Sequence, residues 1–104
     1  MFERPTRSRD KLFTVLCRCN DDRTPRLGLA ISKKHCKKAT GRNRIKRLIR
    51  ESFRTHQRQL SGLDVVVINQ AAAATTPADE LVKSLERHWQ RCRTAVRKEK
   101  DAEL

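Results

Sequence analysis

Tyrosine is absent from this 104-residue chain, tryptophan occurs once and phenylalanine three times. Stacking bases on aromatic faces is the usual way to grip a single strand, and little material exists for it here. Phe2 and Phe13 are the candidate platforms, because Phe53 and Trp89 fall on apolar helical stripes that belong to a core. Acids are scarce as well, 12 against 25 lysines and arginines. No two carboxylates are spaced as a metal site: Asp21-Asp22 lies in a turn and Asp79-Glu80 opens a helix. His35, His56 and His88 are scattered, without a serine or cysteine beside them in a nucleophile motif, and no Walker loop or dinucleotide fingerprint is present. Protein-based catalysis finds no support.

Long apolar runs are lacking too. Val65-Val66-Val67-Ile68 and Ala71-Ala72-Ala73-Ala74 fall far short of the ~20 residues that span a bilayer. Met1-Phe2-Glu3-Arg4-Pro5 has no apolar signal-peptide core. These features argue for a cytoplasmic protein with no membrane role. Four cysteines, Cys17, Cys19, Cys36 and Cys92, come without a disulfide-scaffold context. With His35 they match no recognised zinc spacing. They are expected to be buried, reduced thiols.

What is present is positive charge. A net +13 on a chain of one-domain length limits the partners to polyanions, since a phosphate backbone neutralises the self-repulsion and releases counterions. The charge concentrates between Ala39 and Arg58. At about 100° per residue, Ile45, Leu48, Ile49, Ser52 and Phe53 share one helical arc, while Lys46, Arg47, Arg50, Arg54 and Arg58 fill the other. Glu51 is the only acid from Thr40 to Gln59, so intrahelical ion pairing cannot account for the cations. Arg42, Asn43 and Arg44 sit on the first turn beside a loop carrying Lys33, Lys34, Lys37 and Lys38. A helix N-terminus attracts phosphate in its own right. With aromatics so few, the expected mode is reading of backbone and shape.

The rest of the chain supplies a scaffold. Residues 3–11 are polar and proline-broken, and read as a loop. Leu12–Cys19 is rich in β-formers, residues 20–25 form a turn, and Arg26–Ser32 returns as a second strand in an antiparallel hairpin. Gly28 within it suggests a bulge or a close backbone approach. The basic helix runs from about Thr40, as N-cap, to about Gln59, and Ser61-Gly62 stops it. Asp64–Asn69, apolar on both faces at Val65–Ile68, reads as a buried central strand. Ala71–Ala74 is a connection or a frayed turn. Thr76 as N-cap and Pro77 at the first helical position start a last helix with the stripe Leu81, Val82, Leu85, Trp89, Cys92 and Val96. Residues 97–104 lose the pattern and read as a loose tail. The order strand, strand, helix, strand, helix, with a β-α-β unit through the basic helix, predicts one α/β domain over 1–104, its helices packed on a small mixed sheet.

Three blocks carry a resemblance. They are Arg26-Leu27-Gly28-Leu29-Ala30-Ile31-Ser32-Lys33-Lys34, then Arg42-Asn43-Arg44-Ile45-Lys46-Arg47-Leu48-Ile49-Arg50-Glu51-Ser52-Phe53-Arg54, and Asp64-Val65-Val66-Val67-Ile68. Together they resemble the signature blocks of the protein subunit of bacterial ribonuclease P, a likeness that extends from about Phe2 to Trp89. The resemblance implies a fold like ribosomal protein S5 domain 2, with an uncommon left-handed β-α-β crossover. It also implies a tRNA-processing endonuclease whose chemistry a magnesium-dependent catalytic RNA performs, while the protein assists removal of the 5′ leader from precursor tRNA. The implied partners are that RNA and precursor tRNA, with Mg2+ held mainly by the RNA. Carried over by position, Arg42, Asn43, Arg44 and Arg47 fall in the block that touches the catalytic RNA, and Lys33, Lys34 and Arg54 extend it. Lys46 and Arg50 border the leader cleft, with Phe2 and Phe13 at its floor. Family members carry a further N-terminal helix before the position of Phe2. Here the resemblance implies either an upstream start or a cleft lacking one wall. The family's tyrosine in the first full strand has no counterpart.

Two other readings share the basic surface. A structural RNA-binding protein of ribosomal type would have the same fold without a role in cleavage. A DNA-binding helix module is disfavoured by the lack of a half-site dimer pattern.

Overall fold

The computed structural model describes residues 5–20 and 23–103. Four strands, β1 (Thr6–Arg9), β2 (Phe13–Cys19), β3 (Arg26–Ala30) and β4 (Leu63–Asn69), form one sheet in the order β1-β2-β4-β3. Helices α1 (Ala39–Thr55) and α2 (Ala78–Glu103) follow β3 and β4, and a 3-10 turn over Ala71–Thr75 leads into α2. The α/β class and the mixed sheet are as the sequence predicts, with α1 joining the parallel pair β3 and β4.

Strand alternation decides where the core sits. Phe13, Val15, Cys17 and Cys19 of β2 lie opposite Asn69, Val67, Val65 and Leu63 of β4. This face meets the buried stripe Leu81, Leu85, Trp89, Cys92 and Val96 of α2 and Ile45, Ile49 and Phe53 of α1. The alternate residues Leu16, Val66 and Ile68 are half-buried on the other face.

Several expectations need correction. Thr6–Arg9 is a strand, paired antiparallel with β2. Its inward side chain is Ser8, which hydrogen-bonds buried His88, so no apolar alternation announces it. The predicted hairpin does not form, because β4 inserts between β2 and β3, antiparallel to the first and parallel to the second. A strand apolar on both sides is best shielded from water at the centre of a sheet, where strands flank it on either side. Helix α1 begins at Ala39 with Lys38 at the cap position and no side-chain cap, and ends at Thr55, ahead of a turn that Gly62 closes at φ 81°. Thr76 does not cap α2, since its hydroxyl donates to Ala72 O at 2.6 Å. Instead the carbonyl of Pro77 accepts from Glu80 and Leu81. The helix then continues to Glu103, past the end of the apolar stripe where a loose tail was expected. Finally, the thiols of Cys17 and Cys92 are not both free. They are joined as a disulfide between β2 and α2, leaving Cys19 and Cys36 unpaired.

Candidate nucleic-acid interface

Burial of the apolar arc fixes which way α1 turns. Ile45, Ile49, Ser52 and Phe53 are buried and Leu48 is half-buried, whereas Asn43, Arg44, Arg47, Arg50, Arg54 and Arg58 are exposed. Phe53 meets Trp89 edge-on, with ring centroids 6.0 Å apart. The Trp89 indole also donates to Ser52 Oγ at 2.9 Å, which fixes the rotation of α1 against α2.

The cations fan around the exposed arc. Asn43, Arg47, Arg50, Glu51 and Arg54 line one surface hollow, and Thr40, Asn43, Arg44, Arg47 and Leu48 line an adjoining one. Leu48 and Ser52 flank the groove toward α2. On a helical wheel Lys46 and Arg50 therefore fall on the flank away from α2, and Arg44 on the flank beside it. Arg44 reaches Thr76 O at 3.5 Å, the long limit for such a bond. Among the described residues no carboxylate lies within ion-pair distance of Arg44, Lys46, Arg47, Arg50 or Arg54. The two acids packed against the sheet are engaged elsewhere: Asp64 is bound by Arg18 and Asn20, and Asp10 by Ser84.

Arg42 behaves differently from its neighbours. Its Nη1 donates to Cys36 O at 2.9 Å and Lys37 O at 2.7 Å, tying the lysine loop to the first turn of α1. Gly41 permits that approach, because a Cβ there would stand 2.8 Å from Cys36 Sγ. The loop's other end is held by Asn69, whose Oδ1 accepts from Ser32 N at 2.8 Å, and Ser32 Oγ accepts from Lys34 N at 3.0 Å. Lys33, Lys34, Lys37 and Lys38 are all exposed. Helix α1 has neither a capping side chain nor an acid in its first turn, so the positive end of its dipole adds to the lysines. Sequence reasoning missed Asn69 and Ser32 as supports of this loop. The available signal was a lone amide ending an apolar strand.

The stacking platforms fare differently. Phe13 is only 1% exposed and packs edge-on against His88 with centroids 6.5 Å apart. It belongs to the core and cannot form a cleft floor, because β2 turns it toward α2. Phe2 lies outside the described residues. Phe13, Phe53 and Trp89, the aromatics that are described, are all buried.

A small mixed sheet carrying one outward-turned arginine helix defines a basic α/β protein of the RNA-binding class. The ribonuclease P family model matches residues 1–93. The chain is 49% identical over 89 residues to the ribonuclease P protein component of Methylococcus capsulatus, which covers 86% of this chain and 70% of that protein. It is 45% identical over 96 residues to that of Yersinia enterocolitica, with coverages of 91% and 81%. Among solved structures it resembles the RNase P protein from Thermotoga maritima, in complex with 1-(4-fluorophenyl)-2-thiourea. The TM-score is 0.77 at 29% identity, covering 85% of this chain and 86% of that one. It also resembles a Staphylococcus aureus RNase P protein mutant with defective mRNA degradation activity, at a TM-score of 0.75 and 33% identity over 81% and 71% of the two chains. The chain belongs to the bacterial ribonuclease P protein family, the protein components of a tRNA-processing ribonuclease. No helix among the described residues is long and apolar enough to cross a membrane.

Proposed function

We propose that the exposed arc of α1 is the surface on which this protein joins the catalytic RNA and precursor tRNA in the cytoplasm. The observation that carries this reading is the fan of arginines left without carboxylate partners among the described residues. Asn43, Arg44, Arg47 and Arg54, with Lys33 and Lys34, contact the catalytic RNA. Arg42 shapes the loop that presents those lysines. Lys46 and Arg50, on the flank away from α2, face the 5′ leader.

The contribution is electrostatic. Clustered guanidinium groups pair with phosphate oxygens through two donors at once and lower the repulsion between two RNAs brought side by side. Mg2+ supplies the cleavage chemistry on the RNA. The ridge does not suit a metal ion, since Glu51 is its only carboxylate. Among the described residues no group of three or more His, Cys, Asp or Glu could hold one.

Reconstitution with the cognate catalytic RNA at low magnesium tests the assignment. The wild-type chain should stimulate leader removal, and Arg47→Ala/Arg50→Ala should lose most of that stimulation while remaining folded. Full stimulation by the double variant would remove α1 from the interface.

A further inference from the structure

A second arginine surface lies on α2. Lys83, Arg87 and Arg91 are spaced four residues apart, all exposed, and so form one stripe about 6 Å from residue to residue along the axis. Arg87 and Arg91 line a surface hollow with Gln90, Thr94 and Ala95. The stripe follows the β1 side of α2, because Ser84 and Arg87 both reach Asp10, between β1 and β2. Arg7 and Arg9, exposed on β1, lie along the same edge.

Structure gives these cations little to do. Like charges at this spacing destabilise a helix. Among the described residues the one carboxylate at ion-pair distance from the stripe is Asp10, 3.9 Å from Arg87 and already accepting from Ser84, Leu12 and Phe13, while Asp79 and Glu80, four and three residues before Lys83 on the same helix, make no ion pair with it. No described aromatic is exposed beside them. The chemistry is that of phosphate oxygens met by guanidinium forks, with no means of reading bases. The location also matters. β1 is the sheet edge opposite β3, about 14 Å across the strands, and α1 stands on the β3 side.

We propose that the Lys83-Arg87-Arg91 flank of α2 is a second phosphate-binding surface, engaging an RNA segment different from the one on α1. The protein then bridges two RNA segments from opposite edges of its sheet. Phosphate binding rests on the α2 stripe alone, whereas the bridging of two segments rests also on the α1 assignment.

The test uses the full chain and its cognate catalytic RNA. Arg87 has an intramolecular neighbour, so the cleaner variant is Lys83→Gln/Arg91→Gln. Binding is measured against salt concentration, with thermal unfolding as the check on folding. Loss of two phosphate contacts lowers the log–log salt slope by about 1.5 and weakens binding several-fold at moderate salt, with the melting temperature unchanged. A photo-crosslinker in place of Gln90 captures RNA at a segment different from that captured by one in place of Thr40. An unchanged slope overturns the proposal. So does a Gln90 crosslink to protein, to nothing, or to the segment found from Thr40. The variant Arg47→Gln/Arg50→Gln, run in parallel, reports on the α1 ridge separately.

Discussion

The Trp89 indole N–H donates to Ser52 Oγ across 2.9 Å, at a point where both helices are buried. This bond sits on the core side of α1, opposite the arginines. Turning the serine inward turns Arg47 and Arg54 outward, so a contact within the core sets the aim of the basic surface. Ser52→Ala would leave a buried N–H unpaired, at a cost of about 1–3 kcal/mol. Because Trp89 is the sole tryptophan, its fluorescence during urea unfolding reports the loss directly. An unchanged midpoint would mean the indole finds another acceptor.

Arg42 and Arg47 separate structural from interfacial arginine. Arg42 spends donors on two loop carbonyls, whereas Arg47 has no described partner. Arg42→Ala should lower stability by about 1–2 kcal/mol and loosen the 33–38 loop. Arg47→Ala should leave stability within about 0.5 kcal/mol and weaken RNA binding on the order of tenfold, about 1.4 kcal/mol. Thermal unfolding and filter binding on the same samples distinguish them. Equal stability losses would place both arginines in the scaffold.

The parts of this molecule written in apolar periodicity were legible beforehand. Ile45, Ile49 and Phe53 announced the inward face of α1, and Val65–Ile68 announced a central strand. Parts held by polar contacts were not. β1 is fastened by Ser8 to His88 and by Asp10 to Ser84, and neither bond leaves a hydrophobic signature. Strand order is hidden in the sequence for a related reason: two strands separated by a short turn resemble a hairpin, and only the burial demand of β4 from farther along the chain displaces that pairing. The core position of Phe13 is not legible either, because a strand aromatic looks the same in sequence whichever face it occupies. For the ridge, composition was enough to locate the charges, but Arg42's inward bonds depend on the path of the lysine loop.

The Cys17–Cys92 pair makes stability depend on redox conditions. It closes a sequence separation of 75 residues, and chain-entropy arguments give such a cross-link about 4 kcal/mol. Reductant should therefore shift the urea midpoint well downward, and Cys17→Ser should match the reduced protein and lose its response to reductant. An identical midpoint with and without reductant would restore the reduced-thiol expectation drawn from composition.

Acid should weaken the fold in two stages, through the contacts that hold β1 to α2. Buried His88 accepts from or donates to Ser8 Oγ at 2.6 Å, while its Nε2 lies 3.2 Å from Asp10 Oδ2 outside hydrogen-bonding geometry. Burial lowers the His88 pKa below 6.5, the Asp10 carboxylate opposes that shift, and Arg91 and Arg87 reinforce it. The unfolded chain thus takes up a proton at a pH where the native one does not, and stability falls as pH drops below 6.5. For Asp10, burial alone would raise the pKa, but bonds from Ser84, Phe13 and Leu12 outweigh it and hold the carboxyl at about 2, against 3.8 when free. Its contribution, of order 2 kcal/mol, is present above 3.8 and lost on the way down to 2. Urea midpoints from pH 8 to pH 3 should show both declines, and His88→Gln should flatten the first while sparing the second. A protein that gained stability between pH 7 and 5 through His88 would have that histidine charged in the fold, paired to Asp10 as an ion pair.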